Sequence, residues 1–195
     1  MTHIVLFPSV LGVRQGVLDA ADLLRDDGHE VLVADLYDGR VFDDYDEASE
    51  YEDTIGYPEL MRRAVDVVKD MPDGFLTAGF SNGAAMAEHV ATQRKVNGVV
   101  MLSGALDITI LGAESWPAGT NAQIHTAVDD PFRDQAGIDA VIAQVRAAGG
   151  TVEAFDYPGA GHLFTDRSRA AEYDPTAAEL LWSRVRQFCA AQVAA

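Results

Sequence analysis

Short runs of β-forming, mostly apolar residues alternate with longer helical patterns along the whole chain. The short runs predict six strands: His3 to Phe7, Glu30 to Asp35, Gly74 to Gly79, Gly98 to Leu102, Gln123 to Val128 and Thr151 to Tyr157. The longer patterns predict five helices: Gln15 to Asp27, Pro58 to Lys69, Asn82 to Thr92, Asp134 to Ala147 and Pro175 to Ala191. This alternation predicts an α/β fold with a mainly parallel six-stranded sheet and helices on both faces.

The acidic segment 43–53 interrupts this pattern because it has no apolar periodicity. We expect a solvated loop or a short exposed helix that contributes to solubility. A second interpretation is a rim over a ligand site near the carboxyl end of a strand. Four aromatic side chains in or before the segment could supply its contacts: Tyr37, Phe42, Tyr45 and Tyr51.

Composition limits the partners and the size of the protein. A chain of 195 residues that is 48% hydrophobic fits one domain, spanning 1–195, with a substantial core. The formal net charge of -17 makes nucleic acid and anionic membrane surfaces poor partners. The first residues lead directly into a strand without a basic region or a long apolar segment, so we expect a cytoplasmic protein.

The sequence offers no sign of a metal or a redox cofactor. Its single cysteine, Cys189, excludes an intramolecular disulfide and lies in a helical pattern typical of a packed core thiol. No Cys/His cluster suggests a metal, and no Gly-x-Gly-x-x-Gly follows the first strand. We therefore expect no cofactor.

Residues 79–83 read Gly-Phe-Ser-Asn-Gly and lie between the third strand and the next helix. A nucleophile on a sharp strand-to-helix turn needs small neighbours where the backbones crowd, and the helix N-terminus stabilises a developing oxyanion. Because 17 glycines make a chance match possible, the position of the motif carries the argument. It predicts a serine hydrolase with Ser81 as nucleophile. Dehalogenases and epoxide hydrolases of this type need an aspartate there, so they are excluded.

Ser81 needs a base and a carboxylate that orients the base. In the α/β-hydrolase arrangement the order is Ser, then Asp or Glu, then His, each on a loop at the carboxyl end of a strand. His162 follows the sixth strand and fits this order. After the fifth strand we favour Asp130 over Asp129 as the orienting acid, with a turn acceptor or helix cap as its alternative role. The other histidines lie outside the loop after the sixth strand: His3, His29, His89 and His125.

The same arrangement predicts the rest of the site. We expect the backbone N–H groups of Val10 and Asn82 to form the oxyanion hole, although residues 8–12 could simply be a tight turn. The segment 103–120 is too short for a cap domain, so we expect an open site. Five side chains are candidates for pocket walls, with packing in the core as the alternative: Leu11, Tyr37, Trp116, Phe132 and Phe164.

Further motifs accompany the Gly-Phe-Ser-Asn-Gly motif, which we call the nucleophile elbow: Gly12-Val13, Asp27-Gly28-His29, Asp35-Leu36-Tyr37, Asp130-Pro131-Phe132, Gly161-His162-Leu163-Phe164, Tyr173-Asp174-Pro175, Ala177-Ala178 and Trp182. With them the chain resembles the dienelactone hydrolase family of α/β-hydrolases over nearly its whole length. The resemblance implies that Ser81, Asp130 and His162 form a catalytic triad.

Three positions depart from the family pattern. Where the founding members carry a nucleophilic cysteine and a glutamate that pairs with it, this chain has Ser81 and Ser9. An arginine that holds the substrate carboxylate is replaced by Asp166, with Arg167 one position away. We expect Asp166 to repel anionic lactones. The resemblance therefore implies a general serine esterase or lactonase.

Two functions from different classes fit these observations. The first is hydrolysis of carboxylic esters or lactones through an acyl-serine, and the second is non-catalytic binding of a small molecule on the same scaffold. A serine-directed phosphonate probe distinguishes them. Transferase or perhydrolase chemistry is a further outcome, which product analysis with competing acceptors would detect.

Overall fold

The computed structural model describes residues 2–193, so residues 1, 194 and 195 of the expected domain lie outside the described part. Its strands are β1 (His3–Phe7), β2 (Glu30–Val33), β3 (Phe75–Phe80), β4 (Val96–Leu102), β5 (Asn121–Ala127) and β6 (Val152–Tyr157). They form one sheet in the order β2-β1-β3-β4-β5-β6, and every neighbouring pair is parallel. The predicted six-stranded α/β fold is confirmed. The carboxyl ends of all six strands therefore meet at one edge of the sheet, while β2 and β6 are its outer strands.

The helices are α1 (Gln15–Asp26), α2 (Tyr45–Ile55), α3 (Tyr57–Val67), α4 (Asn82–Gln93), α5 (Gln135–Ala147) and α6 (Pro175–Val193). Five of them begin and end close to the predicted bounds. The sixth, α2, lies in the acidic segment, where the side chain of Asp44 accepts the N–H groups of Asp46 and Glu47. This N-cap stabilises a helix that apolar periodicity did not indicate. None of the helices in residues 2–193 has the length and apolar character needed to cross a bilayer.

Two apolar clusters sandwich the sheet because side chains alternate between its faces along each strand. In β1, Ile4 and Leu6 pack with α1 and α6, whereas Val5 and Phe7 pack with α3, α4 and α5. Cys189 is buried in the first of these clusters, and burial raises the pKa of its thiol to about 12. This is the packed core thiol that the sequence predicted.

Candidate active site

Ser81 occupies the turn between β3 and α4 with a φ of 53°, which is unfavourable for a residue other than glycine. The backbones around it are too close for side chains at the flanking glycines. A Cβ at Gly79 would lie 2.0 Å from the carbonyl oxygen of Gly83, and one at Gly83 would lie 2.2 Å from that of Pro8. The glycines of the motif are thus required by close backbone approach.

The structure brings together the three residues that the sequence predicted as a triad. His162 Nε2 lies 2.7 Å from Ser81 Oγ, and His162 Nδ1 lies 2.7 Å from Asp130 Oδ2. A carboxylate can only accept, so the Nδ1–H group donates to Asp130 and the Ser81 hydroxyl donates to Nε2. This is the tautomer that a base acting on Ser81 requires.

Asp130 serves two purposes at once. While Oδ2 faces His162, its Oδ1 accepts the backbone N–H of Phe132 at 2.8 Å. The alternative role considered from the sequence, a turn acceptor, is therefore present together with the contact to His162. The Asp130 side chain is 0% exposed, whereas the neighbouring Asp129 is exposed to solvent.

Two side chains that sequence reasoning missed hold the loop of His162. The Ser103 hydroxyl donates to the carbonyl oxygen of His162 at 2.5 Å, and the N–H of Leu163 donates to Glu172 Oε2 at 2.7 Å. Ser103 directly follows β4 and has a φ of 64°. Ser103 could have been identified from the sequence because it follows a predicted strand at the carboxyl end, where the other predicted site residues lie.

The four remaining histidines lie elsewhere. His125 is buried in β5, where Nε2 lies 3.0 Å from Gln123 Oε1 and Nδ1 lies 2.8 Å from the Tyr157 hydroxyl. Burial lowers the pKa of His125 to about 3, with a smaller contribution from Arg184. His3 pairs with Glu30 at the start of the first two strands, and burial lowers the pKa values of His29 and His89.

A cavity of about 220 Å³ opens beside Ser81 and His162. Within the described residues, no Lys or Arg lines it. Apart from the Ser81 turn and the loop of His162, its lining includes Tyr57, Ala85, Ala105, Leu106, Phe132 and Asp134. A larger groove of about 850 Å³ lies between α1 and α6 and contains none of the three predicted triad residues.

Of the five predicted wall residues, Phe132 lines this cavity. Leu11 and Phe164 are buried in the core beneath α1 and α6. Trp116 is buried in the opposite core, where its indole N–H donates to the carbonyl oxygen of Thr120 at 2.9 Å. Large apolar side chains gain most from full burial, which explains why these three pack in the core instead of at the site.

Tyr37, the fifth predicted wall residue, is buried behind the elbow. The Asn82 amide donates to the Tyr37 hydroxyl at 2.8 Å and to Glu52 Oε2 at 2.9 Å, and the Tyr37 hydroxyl donates to the same carboxylate oxygen at 3.2 Å. Burial is the main cause that raises the pKa values of Tyr37 and Glu52. This network connects α2 to the first residue of α4.

The N–H groups of the two expected oxyanion donors, Val10 and Asn82, make no backbone hydrogen bond that the structure shows in residues 2–193. Asn82 is the first residue of α4, so its N–H has no acceptor within the helix. Within residues 2–193 the N–H of Val10 donates to no backbone carbonyl. The tight turn is present as well, because Gly12 donates to the carbonyl oxygen of Ser9 at 3.0 Å and has a φ of 78°.

Helix α2 contributes to the rim of the site through Tyr45. Its ring centroid lies 5.8 Å from the imidazole of His162 and 5.1 Å from the ring of Phe132, which itself lies 4.8 Å from the imidazole. The Tyr45 hydroxyl donates to Glu172 at 3.0 Å. Of the four aromatic residues in the second interpretation of the acidic segment, Tyr45 thus lies beside His162, although it does not line the cavity.

Asp166 and Arg167 do not line the cavity. The expectation that Asp166 repels anionic lactones therefore needs correction. Asp166 is buried and lies 3.2 Å from the guanidinium of Arg14. Arg167 pairs with Asp19 at 2.6 Å on the surface. The carboxylate that lines the cavity belongs to Asp134 instead.

Solved structures share this fold. A dienelactone hydrolase-like promiscuous phosphotriesterase from metagenomic libraries is 23% identical, with a TM-score of 0.80 and coverage of 96% of this chain and 85% of that chain. A dienelactone hydrolase from Anabaena variabilis is 19% identical, with a TM-score of 0.66 and coverage of 95% and 84%. Alpha/beta hydrolase domain-containing protein 10 from mouse is 12% identical, with a TM-score of 0.69 and coverage of 96% and 89%. At these identities the similarity shows the α/β-hydrolase fold.

The sequence itself matches a family model. The model describes the dienelactone hydrolase family, and the match extends over residues 1–193. No curated protein is similar enough to count as a match. The resemblance inferred from the motifs is thus confirmed along nearly the whole chain, and the chain is a hydrolase that belongs to the dienelactone hydrolase family.

Proposed function

We propose that the protein hydrolyses carboxylic esters or lactones through an acyl-serine intermediate on Ser81. The observation that carries the proposal is the continuous hydrogen-bonded chain from Ser81 through His162 to Asp130, with both contacts at 2.7 Å. A hydroxyl, a base and a buried orienting carboxylate in this geometry are the components of acyl transfer.

In the proposed mechanism, His162 Nε2 takes the proton of Ser81 as Oγ attacks the ester carbonyl carbon. The negative charge on the carbonyl oxygen is stabilised by the N–H groups of Val10 and Asn82. His162 then gives its proton to the leaving alkoxide, and the acyl group stays on Ser81. Asp130 stabilises the imidazolium in both half-reactions.

Water completes the reaction. His162 takes a proton from a water molecule, which attacks the acyl-serine carbonyl carbon. His162 then returns this proton to Ser81 Oγ as the bond between Oγ and the acyl carbon breaks, which releases the carboxylic acid and restores the free hydroxyl. The volume of about 220 Å³ beside Ser81 is below the range of pockets for drug-sized ligands. This size supports short acyl groups or small lactones as substrates.

The test is a panel of esters and lactones assayed on the wild type and on Ser81→Ala. Hydrolysis is expected to fall by roughly 10⁴-fold or more in this variant, because no nucleophile remains. Ser183→Ala is the matched control, since Ser183 is an exposed serine in the groove between α1 and α6. Equal rates in the wild type and Ser81→Ala would contradict the mechanism.

The non-catalytic alternative makes the opposite prediction. A binding protein would not react with a serine-directed phosphonate, whereas a hydrolase would be labelled at Ser81. Product analysis with added alcohol or peroxide as competing acceptor separates hydrolysis from transferase and perhydrolase chemistry. The 2.7 Å contact between Ser81 and His162 supports labelling and hydrolysis.

A further inference from the structure

The cavity beside Ser81 has a closed side and an open side. On the closed side, Tyr57, Ala105 and Leu106 pack against the same core cluster that contains Ala85. On the open side, Phe132 is 55% exposed. The aromatic ring of Phe132 lies 4.8 Å from the imidazole of His162.

This division determines how an ester substrate lies in the cavity. The leaving oxygen must receive a proton from His162, so the alcohol part lies on the open side that His162 and Phe132 form. The acyl chain then extends toward the closed side. Its surroundings there are the apolar side chains of Ala85 and Leu106 and the aromatic ring of Tyr57.

The hydroxyl of Tyr57 differs from those of most other tyrosines in the molecule. Hydrogen bonds to side chains engage the hydroxyls of Tyr37, Tyr45, Tyr51 and Tyr157. Tyr57 lines the cavity, and within residues 2–193 its hydroxyl makes no hydrogen bond to another side chain. Burial is the main cause that raises the pKa of Tyr57 well above its usual value, and the nearby acidic side chains of Glu52 and Glu88 add to it. The hydroxyl therefore keeps its proton and is a neutral donor.

We infer that Tyr57 is a specificity-determining residue that selects acyl groups with an uncharged oxygen acceptor near the reacting carbonyl, such as short alkoxyacyl or hydroxyacyl esters. The inference rests on the proposed function and names its substrate class. A donor on an otherwise apolar wall favours an acyl chain that supplies an acceptor. Asp134 on the lining and Glu52 beside Tyr57 disfavour an acceptor that is itself an anion.

Two esters of equal size test this inference. The para-nitrophenyl esters of methoxyacetic acid and butyric acid differ by one ether oxygen in place of a methylene group. The ratio of their kcat/KM values, ether ester over butyrate ester, is measured for the wild type and for Tyr57→Phe. The two esters differ in intrinsic reactivity, but this difference is the same for both proteins and cancels when their ratios are compared. The ratio is expected to fall by about threefold to tenfold in Tyr57→Phe, as for loss of one neutral hydrogen bond.

Tyr173→Phe is the control, because Tyr173 is 38% exposed and lies away from the cavity. It is expected to keep the wild-type ratio. A second measurement uses the wild type alone. Its rate ratio of the ether ester to the butyrate ester should exceed the same ratio for hydrolysis of the two esters by hydroxide in solution. A general loss of folding or activity would change both esters alike and leave their ratio unchanged.

An unchanged ratio in Tyr57→Phe, or a wild-type ratio no larger than that for hydroxide, would overturn the inference. In either case both esters would still be cleaved in a Ser81-dependent manner, and the proposed function would stand. Cleavage that persists in Ser81→Ala would instead overturn the proposed function. The two failures are therefore distinguishable in one set of assays.

Discussion

The hydroxyl of Ser103 donates a hydrogen bond of 2.5 Å to the backbone carbonyl oxygen of His162. The two residues are far apart in sequence, and the bond connects the loop after β4 to the loop that carries the imidazole. The bond holds the loop of the base in place through the backbone of His162, and it involves neither the imidazole ring nor Ser81. Ser103 is thus a positioning residue in the proposed mechanism.

Ser103→Ala is expected to lower kcat by about tenfold with a smaller change in KM, because a small displacement of the base weakens its contact with Ser81. The buried carbonyl of His162 also loses its partner, which is expected to lower the free energy of unfolding by about 1–3 kcal/mol. Steady-state kinetics and urea denaturation measure the two effects, with Ser183→Ala as control. A kcat equal to that of the wild type would show that Ser103 does not position the base.

The charge of Asp134 gives a second prediction. Asp134→Asn keeps the N-cap of α5, since an asparagine oxygen can also accept the N–H of Ala136, but it removes the carboxylate from the cavity lining. We expect it to improve kcat/KM for an ω-sulfonated butyrate ester relative to butyrate by about twofold to fivefold at low salt, and less at high salt. Asp139→Asn, on the exposed surface of α5, should leave the relative rate unchanged.

Glu88 gives a prediction about stability at alkaline pH. Burial raises the pKa of this carboxyl well above its usual value, and the nearby Asp107 adds to the effect. The folded protein therefore holds a proton that the unfolded chain releases, so stability is full below the usual glutamate pKa and decreases as pH rises through the folded-state pKa. Glu88→Gln keeps an acceptor for the N–H of Leu106 and removes the titration.

Urea denaturation from about pH 5 to pH 9 should show the free energy of unfolding of Glu88→Gln rising relative to the wild type as pH increases. Glu50→Gln, at an exposed position of α2, should run parallel to the wild type. A constant difference between Glu88→Gln and the wild type over this range would contradict a buried protonated Glu88.

For His125 the expected dependence of stability on pH is opposite to that for Glu88, because stability decreases as the pH falls. Its folded-state pKa of about 3 lies below the usual imidazole value, so the unfolded chain takes up a proton that the folded protein excludes. Stability is therefore expected to decrease as pH falls below about 6.5, by at most about 1.4 kcal/mol per pH unit. His125→Gln offers a neutral acceptor to Tyr157 and a donor to Gln123, and should weaken this dependence. His3→Gln is the control, and an equal acid dependence in wild type and His125→Gln would refute the explanation.

The sequence was sufficient to predict the fold and the proximity of Ser81, Asp130 and His162, because both follow from local patterns. Apolar runs placed the strands, and in a parallel sheet the polar residues after those strands must meet at one edge. Ser81, Asp130 and His162 are separated widely in sequence but each follows a strand, so their proximity is a consequence of the topology.

The cavity walls could not be predicted in the same way. Trp116 and Tyr57 are both aromatic, and whether a ring packs in the core or lines a cavity depends on contacts between distant elements. Tyr57 begins α3 directly after Gly56, whose φ of 82° separates this helix from α2. The acidic segment became helical because Asp44 caps it, an interaction between side chain and backbone that hydrophobic periodicity does not reveal.

The outer position of β6 has a consequence for cooperativity. This strand pairs only with β5, three of its six residues are exposed, and the loop that carries His162 follows it directly. Sub-global opening of a peripheral strand requires less free energy than loss of the whole sheet. Fraying of β6 would withdraw the base while the turn at Ser81, held by the central strand β3, stays intact. Mild denaturant should therefore inactivate the protein reversibly before the bulk of its amide protons become exchangeable.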